Sequence, residues 1–177
     1  MARGADAVGP GDVGSAPPGP GRTSVTEADV TETSEPRPFV VVGVDGSHQS
    51  RAALEWAARY ARLVGAQLRA VTAWQRESGF GYFPEGERGL EHEARRVLVH
   101  AVDRVLGDEH DVDLELLVVR GNPTTVLLDA SRGALLLVVG DRGYGGFAGL
   151  LLGSVGENCL RHARCSVVVV RQPDEGS

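Results

Sequence analysis

The chain contains no lysine: all 18 of its basic residues are arginine. A Walker-type phosphate loop needs a lysine at the phosphates, and a Schiff-base enzyme needs one as nucleophile, so both are excluded. Cysteine is scarce as well, with only Cys159 and Cys165. Two thiols are too few for a disulfide framework, and no zinc-ligand spacing accompanies them, so they read as the reduced thiols of a cytoplasmic protein. No apolar run approaches the ~18 residues of a membrane helix, and no apolar stretch follows Arg3, so neither a membrane span nor a secretory signal is expected. There is no G-x-S-x-G nucleophile elbow and no H-E-x-x-H. His92 and His100 stand eight apart on one expected helix without further ligands, and the acidic stretch Asp108 to Asp113 lacks the glycine and terminal glutamate of a calcium loop. No metal site and no catalytic residue are therefore expected. Nor is there a basic surplus: the formal net charge is −6, which argues against a nucleic-acid partner.

Composition divides the chain. Residues 1–38 carry six Gly and six Pro, no aromatic residue and no apolar periodicity, so they are expected to be a disordered tail. Residues 39–172 have the composition of a folded domain, followed by a short tail at 173–177. In that domain Phe39-Val40-Val41-Val42-Gly43-Val44-Asp45 reads as a strand buried on both faces. Asp45-Gly46-Ser47 ends it and offers a helix cap. Ala52, Ala53, Trp56, Ala57, Tyr60, Ala61 and Val64 then recur at helical spacing until Gly65. A second strand is expected at 67–74, a loop at 75–87, an amphipathic helix from Leu90 to Val105, and a third strand at 113–119. Pro123 opens a short helix, the most apolar strand spans 134–139, a glycine-rich loop spans 140–153, and a helix (154–162) and a fifth strand (166–170) complete the series. Strands alternating with helices predict an α/β fold: a three-layer, doubly wound, Rossmann-like sheet of five parallel strands in the order 3-2-1-4-5.

In such a sheet a ligand binds beyond the carboxyl ends of the strands where the strand order reverses. That places Asp45, after the first strand, beside Gly140-Asp141-Arg142-Gly143, after the fourth. A carboxylate can accept hydrogen bonds from ribose hydroxyls. Glycines let a backbone approach phosphate closely, and Ser154 opens a helix whose N–H groups and dipole favour an anion. Gly145, Gly146 and Gly149 keep the intervening segment compliant. Two other readings stand beside this one: the loop as a plain connection, and Asp45 as a cap for the first helix together with Ser47. An adenylate-forming or sulfur-transfer enzyme would need S-G-G-x-D-S after the first strand, which Asp45-Gly46-Ser47-His48 does not supply.

The sequence resembles the universal stress protein family over residues 39–171. The resemblance rests on Val41-Val42-Gly43-Val44-Asp45-Gly46-Ser47, Val71-Thr72-Ala73-Trp74, Val119-Arg120-Gly121-Asn122-Pro123 and Val138-Val139-Gly140-Asp141-Arg142-Gly143. Its most specific part is Gly146-Phe147-Ala148-Gly149-Leu150-Leu151-Leu152-Gly153-Ser154-Val155, followed by Leu160-Arg161-His162-Ala163. Gly140, Gly143, Gly153 and Ser154 keep the G-x2-G-x9-G-[S/T] signature of the family's ATP-binding subclass. The resemblance implies ATP or another adenine nucleotide as ligand, with Mg2+, in a stress-response regulator that is not an enzyme. It implies that Asp45, with backbone at Gly43 and Val44, meets the ribose, and that the Ala73 main chain meets the adenine. Gly140, Gly143, Gly153 and Ser154 would hold the phosphates, with Val155 N–H nearby and Arg142 offsetting charge. It further implies a homodimer through the fifth strand, Val167, Val168, Val169 and Val170. Asp141 departs from the small neutral residue common in relatives. A carboxylate there would repel a triphosphate unless it points away or helps hold Mg2+, so the alternative is a dimeric interaction module that has lost its ligand.

Overall fold

The computed structural model describes residues 37–76, 86–107, 111–143 and 152–171. The two expected tails, apart from residues 37 and 38, lie outside the described residues, as do Gly145, Gly146 and Gly149. Among the described residues five strands and four helices alternate: β1 (Phe39–Gly43), α1 (His48–Val64), β2 (Gln67–Trp74), α2 (Gly86–Leu106), β3 (Leu114–Arg120), α3 (Pro123–Ala130), β4 (Leu136–Gly140), α4 (Ser154–His162) and β5 (Ser166–Val170). All four strand pairings are parallel, and the order is β3-β2-β1-β4-β5. The expected α/β sheet and strand order are both present.

Alternation along each strand builds two apolar layers. Val40, Val42, Leu68, Ala70, Leu136 and Val138 face the inner sides of α1 and α2, where Ala53, Leu54, Ala57, Leu98 and Ala101 close the layer. Val41, Val71, Leu137 and Val139 point the other way, onto Val126 and Leu127 of α3 and Cys159 of α4. β1 and β4 are hence apolar on every residue, because both faces of a helix-covered parallel sheet are dry. Alanine dominates the buried stripe of α1, so that helix lies close to the sheet.

Local chemistry sets the helix ends. Ser47 caps α1, its hydroxyl accepting from Ser50 N–H at 3.1 Å, and Gly65 ends it at φ 65°, a left-handed conformation that costs glycine little. Asn122 caps α3, accepting from Thr124 N–H at 3.0 Å with Pro123 at the first helical position. Several bounds differ from expectation, and two of them have a local reason. β1 stops at Gly43 rather than Asp45, because Val44 makes one last bond, N–H to Val71 C=O at 2.9 Å, before the chain turns away. α2 begins at Gly86, a turn before its first apolar residue, where Glu87 pairs with Arg120 at 2.6 Å. A helix can start on an ion pair that an apolar stripe does not report.

Candidate functional site at the sheet switch point

β1 and β4 are neighbours, but the chain leaves β1 toward β2 and leaves β4 toward β5. The segments after the two strands therefore diverge, and a cleft opens between them. Asp45 stands on one lip. Its Oδ1 accepts from Ser47 N–H at 2.9 Å, so the capping reading of Asp45 is realised. Its Oδ2 faces the other lip: a Cβ placed on Gly143 would lie 2.5 Å from it. One carboxylate serves both ends, holding the start of α1 through one oxygen and closing on the glycine turn through the other. Thr72 fixes the approach from below, its buried hydroxyl donating to Val44 C=O at 2.7 Å.

The turn after β4 is tied at both of its ends. Asp141 N–H donates to Val170 C=O at 2.9 Å, which extends the β4–β5 ladder, and Asp141 C=O accepts from Gly153 N–H at 2.7 Å. Gly153 is the N-cap of α4, and a Cβ placed on it would lie 3.5 to 3.8 Å from the Arg142 and Gly143 backbone. Gly140, Arg142, Gly143, Gly153, Ser154 and Val155 are thereby brought together, although nine residues lie between Gly143 and Gly153. The two lips also meet directly, since a Cβ at Gly140 would strike the Gln49 backbone at 2.9 Å. Neither Gly140 nor Gly143 has a positive φ. They are glycines for want of space, to let α1 and Asp45 come close.

Ala73 lies higher on β2. The β1 ladder ends at the Gly43–Val71 pair, and Val71 C=O accepts from Val44 N–H on that side. Trp74 C=O accepts from Gly121 N–H on the β3 side. Alternation along a strand therefore directs the Ala73 N–H and C=O toward the space that β1 has left. Its side chain packs on the α3–α4 layer. A main-chain role is the only one its position at that side offers.

Three features escaped the sequence reading. A cavity of 640 Å3 adjoins Asp45 and Gly46 between α1 and α2, with Arg51, Glu93, Arg96 and His100 in its wall. Arg51 donates to Gly46 C=O at 2.6 Å, and the hydrogen bond from Arg96 at 2.7 Å, with its charge second, keeps the Glu93 carboxyl below its usual range. These polar positions on α2 follow the ordinary solvent face of a helix, so periodicity gave no sign of a cavity. The second feature is the burial of Asp141 and its pairing with two arginines. Asp141 is 3% exposed, and its Oδ2 lies 3.7 Å from Arg142 Nε and 3.5 Å from Arg171 Nε. The third is that Arg171, which directly follows β5, belongs to this group at all.

The family model for the universal stress proteins matches residues 39–171. This chain belongs to the universal stress protein family. A universal stress protein of Mycobacterium tuberculosis is 35% identical over 153 residues, covering 80% of this chain and 48% of its own length. One from Mycolicibacterium smegmatis is 32% identical over 148 residues, covering 78% of this chain and 49% of its own. The chain thus spans about half the length of these curated relatives. Among solved structures, a universal stress protein in complex with cAMP is 32% identical, covers 76% of this chain and 97% of its own, and superposes with a TM-score of 0.59. Universal stress protein UspA from Lactobacillus plantarum, at 22% identity and a TM-score of 0.61, shares the fold. No helix among the described residues is long and apolar enough to cross a membrane.

Proposed function

We propose that this universal stress protein binds an adenine nucleotide, ATP in the first instance, in the cleft between β1 and β4, and acts as a cytoplasmic homodimeric regulator rather than an enzyme. The observation that carries the reading is the contact of Asp45 with Gly143. It sets a carboxylate suited to ribose hydroxyls against a glycine turn whose far end is the start of α4. The ribose then goes to Asp45, with backbone at Gly43 and Val44. The base goes toward the Ala73 main chain, and the phosphates go to Gly140, Gly143, Gly153, Ser154 and the Val155 N–H, with Arg142 as counter-charge. Mg2+, when it accompanies ATP, neutralises part of the phosphate charge. The cAMP complex of a 32% identical relative supports the adenine-nucleotide class.

The homodimer reading rests on β5. It is an edge strand of four half-buried valines, a surface prone to unwanted pairing unless covered. Val170 C=O is used on the β4 side, so alternation turns the Val169 N–H and C=O outward. Val169→Pro removes that outward donor without touching the β4 ladder, and sedimentation velocity should shift from dimer to monomer. A monomeric wild type would end the homodimer reading.

The nucleotide reading is tested by mass spectrometry of small molecules released from purified protein, followed by calorimetric Mg-ATP titration of wild type and Gly143→Trp. Adenine nucleotide bound by wild type and lost in the variant is the expected result. No binding at millimolar ATP would leave the interaction-module reading in its place.

A further inference from the structure

We propose that the cavity between α1 and α2 is a second binding site, for a small organic acid with one carboxylate and an apolar body, and that Arg51 links its occupant to the nucleotide cleft. The cavity has a volume of 640 Å3, within the ~300–1,000 Å3 of small-molecule sites. Its described wall includes Asp45 and Gly46 but not Gly140, Gly143 or Gly153, so it is distinct from the phosphate end of the cleft. Val97 and the buried Ala101 of α2 give the wall an apolar part. Arg51 of α1 and Glu93, Arg96 and His100 of α2 give it a polar one.

What the polar groups still have to offer decides the ligand. Glu93 is engaged on both oxygens, by Arg96 Nε at 2.9 Å and Nη2 at 2.7 Å. Asp45 accepts from Ser47 N–H at 2.9 Å. Both carboxylates of the wall are thus occupied, which disfavours a cationic ligand. Donors remain. Arg51 is half-buried and donates from Nη1 to Gly46 C=O at 2.6 Å, and among the described residues no carboxylate pairs with it. An arginine carries five N–H groups in a planar fork that matches a carboxylate. His100, one turn beyond Arg96, adds a ring nitrogen. Asp45 and Glu93 offset Arg51 and Arg96 in formal charge, so the wall suits one added negative charge rather than a chain of phosphates. Arg51 is where the two sites meet. The Gly46 C=O that it holds belongs to the turn carrying Asp45, whose Oδ2 faces Gly143. A carboxylate on Arg51 competes with that C=O for the guanidinium and loosens the turn, so occupancy weakens nucleotide binding. This link rests on the adenine-nucleotide reading above, whereas the site itself does not.

The probes are benzoate and phenylacetate, with benzamide as the uncharged counterpart and inorganic phosphate as an anion without an apolar body. Each is titrated into the full isotope-labelled chain, as wild type, Arg51→Gln and Val97→Phe, and followed by amide chemical shifts. At least one of the two acids should shift Gly46, Arg51, Val97 and Ala101 saturably at millimolar concentration. Benzamide and phosphate should bind at least about tenfold more weakly, and Arg51→Gln should weaken the acid by the same factor, as for one lost charge-assisted hydrogen bond. Val97→Phe fills the apolar part of the wall with Arg51 left in place, and should abolish acid binding. Failure of both acids to bind, benzamide binding as tight as the acid, or wild-type affinity in Val97→Phe would each overturn the proposal. So would phosphate binding as tight as the acid and equally dependent on Arg51, which would mean a bare anion contact. The link to the cleft is read by ATP titration with and without saturating acid. ATP affinity should fall about fivefold, the low end of ordinary coupling between sites, and Arg51→Gln should remove the difference. ATP binding indifferent to the acid sinks the link. A chain that takes the acid at the cavity but binds no ATP upholds the site and sinks the nucleotide reading alone.

Discussion

Gly140→Ala and Gly143→Ala test the geometry of the cleft together, because the two positions lie three residues apart yet face different kinds of atom. A Cβ at Gly140 would stand 2.9 Å from the carbonyl carbon and the Cβ of Gln49 and 3.0 Å from its oxygen. Backbone in the first turn of α1 cannot step aside alone, so the helix must withdraw from β4 by about half an ångström across a close-packed contact. Overpacking of this kind costs ~1–3 kcal/mol. Because Gly140 has no positive φ, alanine also restricts the unfolded chain, which returns ~0.4–1 kcal/mol. The net expectation is a loss of ~1–2 kcal/mol, read as a lower urea midpoint at unchanged slope. At Gly143 the new Cβ would meet, among the described residues, the carboxylate of Asp45, with Oδ2 at 2.5 Å. That is the tip of an exposed side chain rather than backbone, and the bond it accepts from the Ser47 N–H is worth ~1 kcal/mol. The same unfolded-state gain nearly cancels it, so Gly143→Ala should unfold within ~0.5 kcal/mol of wild type. It should nevertheless lose nucleotide affinity, since Asp45 is displaced from the lip. Refutation would be a Gly140→Ala protein with wild-type stability, or a Gly143→Ala protein as destabilised as Gly140→Ala. Either would mean that the first turn of α1 and Asp45 do not close on the loop as described.

Other expectations follow from single groups. Leu137 is fully buried between β1, β4 and the α3–α4 layer, so Leu137→Ala should cost ~2–5 kcal/mol in urea or thermal unfolding. Asn122→Ala removes the cap of α3 and should cost ~1 kcal/mol by the same assay, with Asn122→Asp largely restoring it. Burial, and secondarily the neighbouring Cys165, pushes the Cys159 thiol up from 9.0 to about 11. A raised folded-state pKa means that the associated stability is complete below pH 9 and is lost as pH rises toward 11, by at most ~2–3 kcal/mol. Cys159→Ala should be less stable at neutral pH but should flatten that alkaline decline, and an equally steep decline in the variant would assign it to other groups.

Much of the fold was legible because its signals are local. The unbroken apolar runs of β1 and β4, the alanine stripe of α1, Gly65, and Asn122-Pro123 each state their own conformation within a few residues. Alternation of strand and helix then leaves few topologies to choose from. The glycine spacing after β4 likewise pointed at the cleft, since 140, 143 and 153 carry the family signature in the sequence itself. What the sequence could not report was where Asp141 points. Composition and spacing showed only a carboxylate inside a phosphate-type loop, which reads as repulsion. What the sheet adds is Arg171: β5 lies beside β4 and brings this residue, thirty positions away in sequence, within 3.5 Å of that carboxylate. Asp45 has the same history. Its role as a cap is local and could be read from Ser47, whereas its contact with Gly143 exists only because β1 and β4 are paired. The cavity beside Arg51 and His100 is lined from both α1 and α2, and neither helix alone encodes it. Residue type and period determined the elements and the chemistry on offer. Strand order, which is a long-range outcome of burying two apolar layers at once, decided which of those chemistries face one another.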